Sequence, residues 1–152
     1  QMSNNKAKQK MKIIELAIIS LCLLLFSCEK HSSVELYGKW QIVEYKCIAS
    51  SSPIGLSKVT DDDNYSLEFD NRGNVICNTD CNLVTGKYVI DGNRLAFDEI
   101  TSTELACDNM LVEGSVKYIL PNVSTFEIQN DSLLFLKDAD NQTLMELKKT
   151  TN

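Results

Sequence analysis

The sequence predicts a mostly-β domain, a sandwich or a barrel, with about eight short strands and a single α-helix. From Leu36 onward, short apolar runs alternate with turn residues at intervals of roughly 8–12 residues, which is typical of such folds. Tyr65, Leu67 and Phe69 alternate with polar residues, so that strand has one buried face. One later segment has a helical period instead. We therefore expect one helix packed against, or across an open end of, an antiparallel sheet.

Turn residues delimit the eight predicted strands. Asn71-Arg72-Gly73-Asn74 separates two of them, and Asp91-Gly92-Asn93 is a strong hairpin signal because Asp and Gly accept positive φ. The predicted strands are Leu36 to Cys47, Tyr65 to Phe69, Val75 to Asn78, Lys87 to Ile90, Arg94 to Phe97, Val123 to Gln129, Leu133 to Asp138 and Thr143 to Lys148. A long loop is predicted after the first strand, between Ser50 and Asn64. The inward-facing candidates are Leu67, Phe69, Tyr88, Phe97, Phe126, Phe135 and Leu147.

The predicted helix lies between Asp108 and Leu120. Val112, Val116 and Ile119 recur at i, i+4 and i+7, which places them on one face. Asp108 is a candidate N-cap, and Pro121 is expected to end the helix.

Residues 1–27 are predicted to be a cleavable signal peptide. Lysines precede an apolar run from Ile13 to Phe26, which is too short for a relaxed membrane span. Leu25-Phe26-Ser27-Cys28 resembles the lipobox of bacterial lipoproteins, in which the cysteine takes a diacylglycerol and becomes the new N-terminus. An ordinary secretory signal or an anchor helix is the alternative. Met11 can also be the true start, which would make residues 1–10 an artefact of the start site.

The remaining chain divides into a lipidated Cys28 with a tether, residues 28–34, and one domain over residues 35–150. After cleavage, 11 basic and 20 acidic side chains remain, a net charge near −9. Such an acidic surface argues against nucleic acid as a partner and against electrostatic adhesion to anionic lipid. We expect the lipid anchor to hold the protein to the membrane. We expect an envelope location, with the domain at the outer membrane facing the periplasm; surface exposure remains open.

Four cysteines remain in the domain: Cys47, Cys77, Cys81 and Cys107. An even number in an exported chain favours disulfides, with three possible pairings. Zinc is the competing interpretation, but Cys47 and Cys107 are isolated, and the single histidine, His31, lies in the tether. We therefore predict no metal site.

Several short motifs extend from Leu36 to about Leu147. They are Gly38-Lys39-Trp40, Leu67-Glu68-Phe69 followed by Gly73, Cys81-Asn82, Gly86-Lys87-Tyr88, Leu95-Ala96-Phe97, Ile100 to Cys107, and Glu113 in the helix. In their order and spacing they resemble the META domain, the family that includes HslJ-like lipoproteins. Asp80 stands where the family usually has Gly. Cys47 and Cys77 look like additions.

The resemblance implies a small antiparallel β-barrel-like fold with one helix, of lipocalin-like topology. It also implies the disulfide Cys81–Cys107, which leaves Cys47 and Cys77 to each other. The crossed pairing, Cys77–Cys107 with Cys47–Cys81, stays open because Cys77 and Cys81 are close in sequence. Gly-x-Trp at Trp40 is also an entry signature of lipocalins, and we expect the indole to plug one end of the barrel. Asn82, Gly86, Tyr88 and Thr103 are motif residues, expected to stabilise the fold.

No catalytic residues are predicted. The single histidine lies outside the domain, so no nucleophile has a histidine base, and no Gly-rich phosphate loop occurs. The sequence therefore predicts a non-enzymatic, lipid-anchored envelope domain with no cofactor and with a binding or scaffolding role in the envelope or in stress response. The alternative is a lipocalin-like carrier of a small hydrophobic ligand. A minor signal is Asp131-Ser132-Leu133, which resembles an O-glycosylation acceptor and occurs often by chance.

Overall fold

A computed structural model describes residues 36–49, 52–60 and 64–150. These residues belong to one compact unit and form nine strands and one helix. The strands are β1 (Gly38–Ala49), β2 (Ser52–Lys58), β3 (Ser66–Phe69), β4 (Asn74–Asn78), β5 (Leu83–Asp91), β6 (Arg94–Ser102), β7 (Thr125–Gln129), β8 (Leu133–Lys137) and β9 (Thr143–Lys149), and the helix is α1 (Leu111–Asn122). No helix in the described ranges has the length and apolar character needed to cross a bilayer.

Eight of the nine strands, all except β2, form a closed antiparallel barrel. Neighbours in sequence pair from β3 to β9, and β1 closes the barrel by pairing with both β3 and β9. Trp40 on β1 stands opposite Leu67 on β3 and opposite Lys149 on β9. The predicted barrel-like fold with one helix is therefore confirmed.

The ladder between β6 and β7 is the shortest in the barrel. These strands share a single bridge, Arg94 with Thr125, and two further backbone hydrogen bonds, from Leu95 to Ser124 and from Phe126 to Asn93. The helix α1 packs against β1, β5 and β6. The buried residues on the apolar face of α1 belong to the same hydrophobic cluster as the barrel interior.

Apolar side chains fill the interior of the barrel. Buried apolar residues from the barrel strands and from α1 form one contiguous cluster. Leu67, Phe69 and Leu147 are fully buried, as predicted, and Val112, Val116 and Ile119 on α1 join them. Trp40, Phe69, Leu134 and Met145 are among the largest fully buried side chains. The interior is thus packed by the protein's own residues.

The prediction of a loop between Ser50 and Asn64 is wrong in part, because Ser52–Lys58 forms strand β2. This strand pairs only with the second half of β1, from Glu44 to Ala49. The segment contains serines, Pro53 and Gly55, residues that are typical of loops. An edge strand nevertheless tolerates Pro and Gly. The local sequence could not reveal that β1 is long enough to hold a second partner beyond β3.

Phe135 was expected to face inward and does not. Leu134 and Leu136 on β8 are fully buried, whereas Phe135 is half-buried on the outer face, opposite Glu127 and Glu146. The run Leu133 to Leu136 is apolar at every position, so no alternation marks the inner face. A one-residue shift of register exchanges the two faces of a strand.

Candidate functional site

The motif residues meet at one end of the barrel, where β4 and β6 finish and α1 begins. We call the set Cys81, Asn82, Thr103, Cys107 and Glu113 the polar junction. It joins the β4–β5 turn, the connection from β6 to α1, and the first turn of the helix. Since β1 runs parallel to β4 and β6, this end lies opposite the start of β1, where Leu36 and Trp40 are buried.

Asn82 is the centre of the polar junction and is 2% exposed. Its Oδ1 accepts hydrogen bonds from Thr103 Oγ1 (2.6 Å) and from Leu105 N (2.8 Å). Its Nδ2 donates to Leu105 O (3.1 Å) and to Glu113 Oε2 (2.8 Å). Both donors and both acceptor positions of the amide are therefore used within the protein. Asn82 bonds both the backbone N–H and the backbone C=O of Leu105, as a neighbouring strand would, and so holds the connection between β6 and α1 in place.

Two threonines complete the support of this turn. Thr79 Oγ1 donates to Asn82 O (2.6 Å), and Thr103 Oγ1 accepts from Leu83 N (3.2 Å). Thr103 N also donates to Leu83 O (3.1 Å), which continues the pairing of β5 with the segment after β6. Thr103 was predicted from the motif, whereas no sequence signal singled out Thr79.

Glu113 is a buried carboxylate whose two oxygens both have partners. Oε2 accepts from Asn82, and Oε1 lies 3.6 Å from Lys117 Nζ one helical turn later. Lys117 also donates to Ser102 Oγ (3.2 Å) at the end of β6. A buried charge without such partners would be costly, so these contacts fix where the first turn of α1 sits.

The N-terminus of α1 is capped by Asp80 and not by Asp108. Asp80 Oδ2 accepts from Val112 N (2.9 Å) and Oδ1 from Glu113 N (3.0 Å). The N-cap residue in the chain is Met110, whose side chain makes no capping bond. Pro121 lies inside the last turn and not beyond the helix. The departure from the family's Gly at position 80 thus adds a carboxylate where helix N–H groups and the helix dipole favour one.

The disulfide Cys81–Cys107 is present, with the two Cα atoms 6.0 Å apart. This confirms the pairing that the resemblance implied and excludes the crossed one. The second expected bridge, Cys47–Cys77, is wrong, since both residues are buried free thiols. Cys77 pairs with Leu67, which pairs with Trp40, and Cys47 lies seven residues further along β1. Seven residues of strand are roughly 20 Å, and a disulfide spans Cα atoms about 7 Å apart at most.

The other motif residues stabilise the barrel elsewhere. Trp40 is fully buried, and its Nε1 donates to Leu36 O (2.9 Å). Tyr88 donates from its hydroxyl to Asp70 O (2.6 Å), and its ring meets Phe69 edge-on at 5.1 Å. Burial raises the pKa of Tyr88, and the nearby Asp70 charge acts in the same direction. Both side chains thus make these contacts within the domain.

Gly86 is required by an irregularity between β5 and β6. The register shifts between Thr85 and Lys87, and Glu99 opposite has a positive φ of 54°. A Cβ on Gly86 would lie 2.4 Å from Ile100 Cδ1 and 3.0 Å from Asp98 O. A side chain at this position would therefore require Ile100 to change its rotamer and the backbone at Asp98 to shift.

Other candidates have simpler contacts or lie elsewhere. In the residues that the structure describes, no three metal-ligating side chains gather at one point. Glu99 is exposed and pairs with Lys87 at 2.7 Å. Cys28, the expected lipidation site, lies outside the described residues, as does His31.

Solved structures with the same fold support this architecture. A protein from Burkholderia xenovorans, studied by NMR, aligns with a TM-score of 0.59 and 17% identity, covering 77% of this chain and 85% of its own. A crystal structure of a DUF4847 family protein from Bacteroides vulgatus aligns with a TM-score of 0.54 and 12% identity, covering 78% of this chain and 96% of its own. At these identities the likeness concerns the fold alone. A search among curated proteins gives no match.

A family model matches most of the sequence. The META domain model aligns with residues 34–151, which include all five residues of the polar junction as well as Trp40, Gly86 and Tyr88. The match also covers every strand and the helix of the described domain. The chain belongs to the META domain family.

Proposed function

We propose that this chain is a lipid-anchored, non-enzymatic domain of the cell envelope with a binding or scaffolding role. The apolar run ending at Leu25-Phe26-Ser27-Cys28 supports the anchor. The proposed place is the outer membrane, with the domain facing the periplasm, and the proposed partners are the membrane, through the lipid, and an envelope protein. The acidic net charge supports neither nucleic acid nor an electrostatic hold on anionic lipid.

The observation that carries this proposal is the state of the motif residues at the polar junction. The amide of Asn82 is hydrogen-bonded to Thr103, Leu105 and Glu113, the carboxylate of Glu113 has two partners, and Cys81 and Cys107 are bonded to each other. Catalytic groups need a free nucleophile or a base aimed at substrate. Groups that satisfy one another favour a rigid scaffold instead.

The packed interior favours this role over that of a hydrophobic carrier. A carrier barrel encloses a cavity for its ligand. Here Trp40, Leu134, Leu136 and Met145 occupy the inside with fully buried side chains in one contiguous cluster. A groove of about 530 Å³ lined by Tyr37 to Lys39 and Glu68 to Arg72 lies at the start of β1 and the end of β3 and opens to solvent.

The anchor is tested by replacing the proposed lipid acceptor. Cys28→Ala should yield a protein that either keeps residues 1–27 uncleaved or, where they are cleaved, leaves the detergent-rich phase on phase partitioning. The native chain should be cleaved and stay in the detergent-rich phase. Cys22→Ala, within the apolar run, is the matched control and should partition as the native chain does. A Cys28→Ala protein that is processed and membrane-bound to the same extent would contradict the proposal.

A further inference from the structure

Four exposed apolar side chains surround the polar junction. We call Leu83, Leu105, Met110 and Leu111 the rim patch. Their exposed fractions are 46%, 64%, 40% and 39%. They come from the start of β5, from the connection after β6, and from the start of α1. The disulfide Cys81–Cys107 and the bonds between Leu83 and Thr103 hold these segments together.

The connection that carries Leu105 is exposed but firmly held. Both backbone polar groups of Leu105 bond to the buried amide of Asn82, and Cys107 is crosslinked two residues later. The fold itself gains little from Leu105, because its side chain stays in water. A surface that is held in place before binding loses less entropy when a partner docks. The polar junction therefore displays the rim patch as a preformed surface.

Negative charge frames the rim patch. Between Ser102 and Val116, the stretch that borders the polar junction, the sequence contains Glu104, Asp108 and Glu113 and no Lys or Arg. Glu113 is buried and paired with Lys117, whereas Glu104 and Asp108 are exposed beside Leu105 and Met110. A second copy of this chain would bring the same negative charges against them. An anionic bilayer would be repelled for the same reason.

We propose that the rim patch docks a cationic amphipathic segment of another envelope protein, one that sets aliphatic side chains between Lys or Arg residues. The aliphatic side chains would cover Leu105 and its neighbours, and the cations would face Glu104 and Asp108. The proposal rests on the binding role proposed above and adds the surface and the partner's chemistry. It does not depend on the lipid anchor, so the partition test of Cys28→Ala and the binding test below fail independently.

The test measures binding of a dye-labelled amphipathic peptide of Leu and Lys to the purified, oxidised full chain by fluorescence anisotropy. Two matched peptides serve as comparison: one with Ser in place of Leu, and one with Glu in place of Lys. We expect the Leu/Lys peptide to bind most tightly and to weaken as salt screens the charges. Absence of binding, or equal binding of the Leu/Glu peptide, would overturn the proposal.

Variants then locate the bound peptide. Leu105→Ser with Met110→Ser should weaken binding about tenfold, as expected when exposed apolar anchors are removed. Glu104→Gln with Asp108→Asn should weaken it and flatten its salt dependence. The matched control is Val89→Ser, which alters a side chain that is 69% exposed on β5 and should leave the affinity unchanged. An equal loss of affinity in the Val89→Ser protein, or no loss in the Leu105→Ser, Met110→Ser double variant, would refute the assignment.

A second readout needs no variant. A photoreactive group on the Leu/Lys peptide should crosslink to the native chain at positions 104–111 and at Leu83, as read by peptide mapping. Crosslinks that fall mainly on β7 to β9 would place the peptide elsewhere and overturn the proposal.

Discussion

The amide Nδ2 of Asn82 donates a 2.8 Å hydrogen bond to Oε2 of Glu113, 31 residues later in the chain. This bond joins the β4–β5 turn to the first turn of α1, and both partners are 2% exposed. Neither residue is therefore free to serve a substrate in this arrangement. Their pairing explains why two polar motif residues occur in an otherwise apolar interior.

Asn82→Ala should lower the free energy of unfolding by about 2–4 kcal/mol, because Thr103, Leu105 and Glu113 each lose a buried partner. Chemical denaturation followed by tryptophan fluorescence of Trp40 measures the loss. Asn122→Ala removes one exposed bond to Tyr118 O and is the control, with an expected change within about 0.5 kcal/mol. Equal stability of the Asn82→Ala and native proteins would show that the polar junction does not hold the domain together.

Replacing Cys81 and Cys107 together by Ser should cost about 2–4 kcal/mol of unfolding free energy. Hydrogen exchange should quicken at residues 103–110, where the crosslink holds the connection. A reductant should destabilise the native protein and leave the double variant unchanged. Peptide mapping of the oxidised protein should find Cys47 and Cys77 alkylated only after denaturation; a Cys47–Cys77 bridge in that map would contradict the structure.

Burial raises the pKa of the Cys77 thiol to about 12. The neutral thiol is favoured in the folded state, so its contribution to stability is full below the unfolded pKa of about 9 and is lost as the pH rises towards 12. We expect the native unfolding free energy to fall with pH above 9 by up to about 1.4 kcal/mol per pH unit from this group. The unfolding free energy of the Cys77→Val variant should fall less steeply over the same pH interval. Identical slopes would mean that Cys77 ionises as easily folded as unfolded.

Gly86→Ala should destabilise the barrel by about 1–3 kcal/mol, because the added Cβ would lie 3.0 Å from the backbone oxygen of Asp98 and 2.4 Å from Ile100 Cδ1, so that both must shift. Combining it with Ile100→Ala should restore part of the loss. Gly114→Ala is the opposite control: nothing lies within 4 Å of a Cβ there, and Ala in a helix is favoured over Gly by about 1 kcal/mol. Thermal melts should therefore move in opposite directions for the two glycine variants.

Asp80→Ala should cost about 1 kcal/mol by removing the cap of α1, while Asp108→Ala should change the unfolding free energy by less than about 0.5 kcal/mol. Helical content by circular dichroism should follow the same order. The reverse order would restore Asp108 as the cap and contradict the observed contacts of Asp80 with Val112 and Glu113.

Local patterns predicted those parts of the fold that local physics determines. The alternation at Leu67 and Phe69 marked a strand with one buried face, and Asp91-Gly92 marked the hairpin between β5 and β6. The spacing of Val112, Val116 and Ile119 gave the buried face of the helix. The barrel and the Cys81–Cys107 pairing followed from the resemblance to a family, since no local pattern relates residues so far apart.

Long-range contacts account for the errors. Asp80 caps a helix that begins 31 residues later, and nothing in its neighbourhood in the sequence indicates that contact. The pairing of Cys47 with Cys77 assumed that both lie at one rim, but the register across β3 separates them along the strands. Phe135 was wrongly predicted to face inward, because four consecutive apolar residues on β8 do not show which face of the strand is buried.

The first and last strands of the barrel are each other's neighbours. Trp40 stands opposite Lys149, and Thr150 N donates to Lys39 O at 3.0 Å. The β1–β9 ladder joins residues about a hundred positions apart, so its formation carries a large loop-closure entropy and is slow compared with that of the hairpins. During synthesis β1 emerges long before its partner and must wait with one edge unpaired until β9 is complete. Loss of the last dozen residues would leave that edge permanently open to other chains.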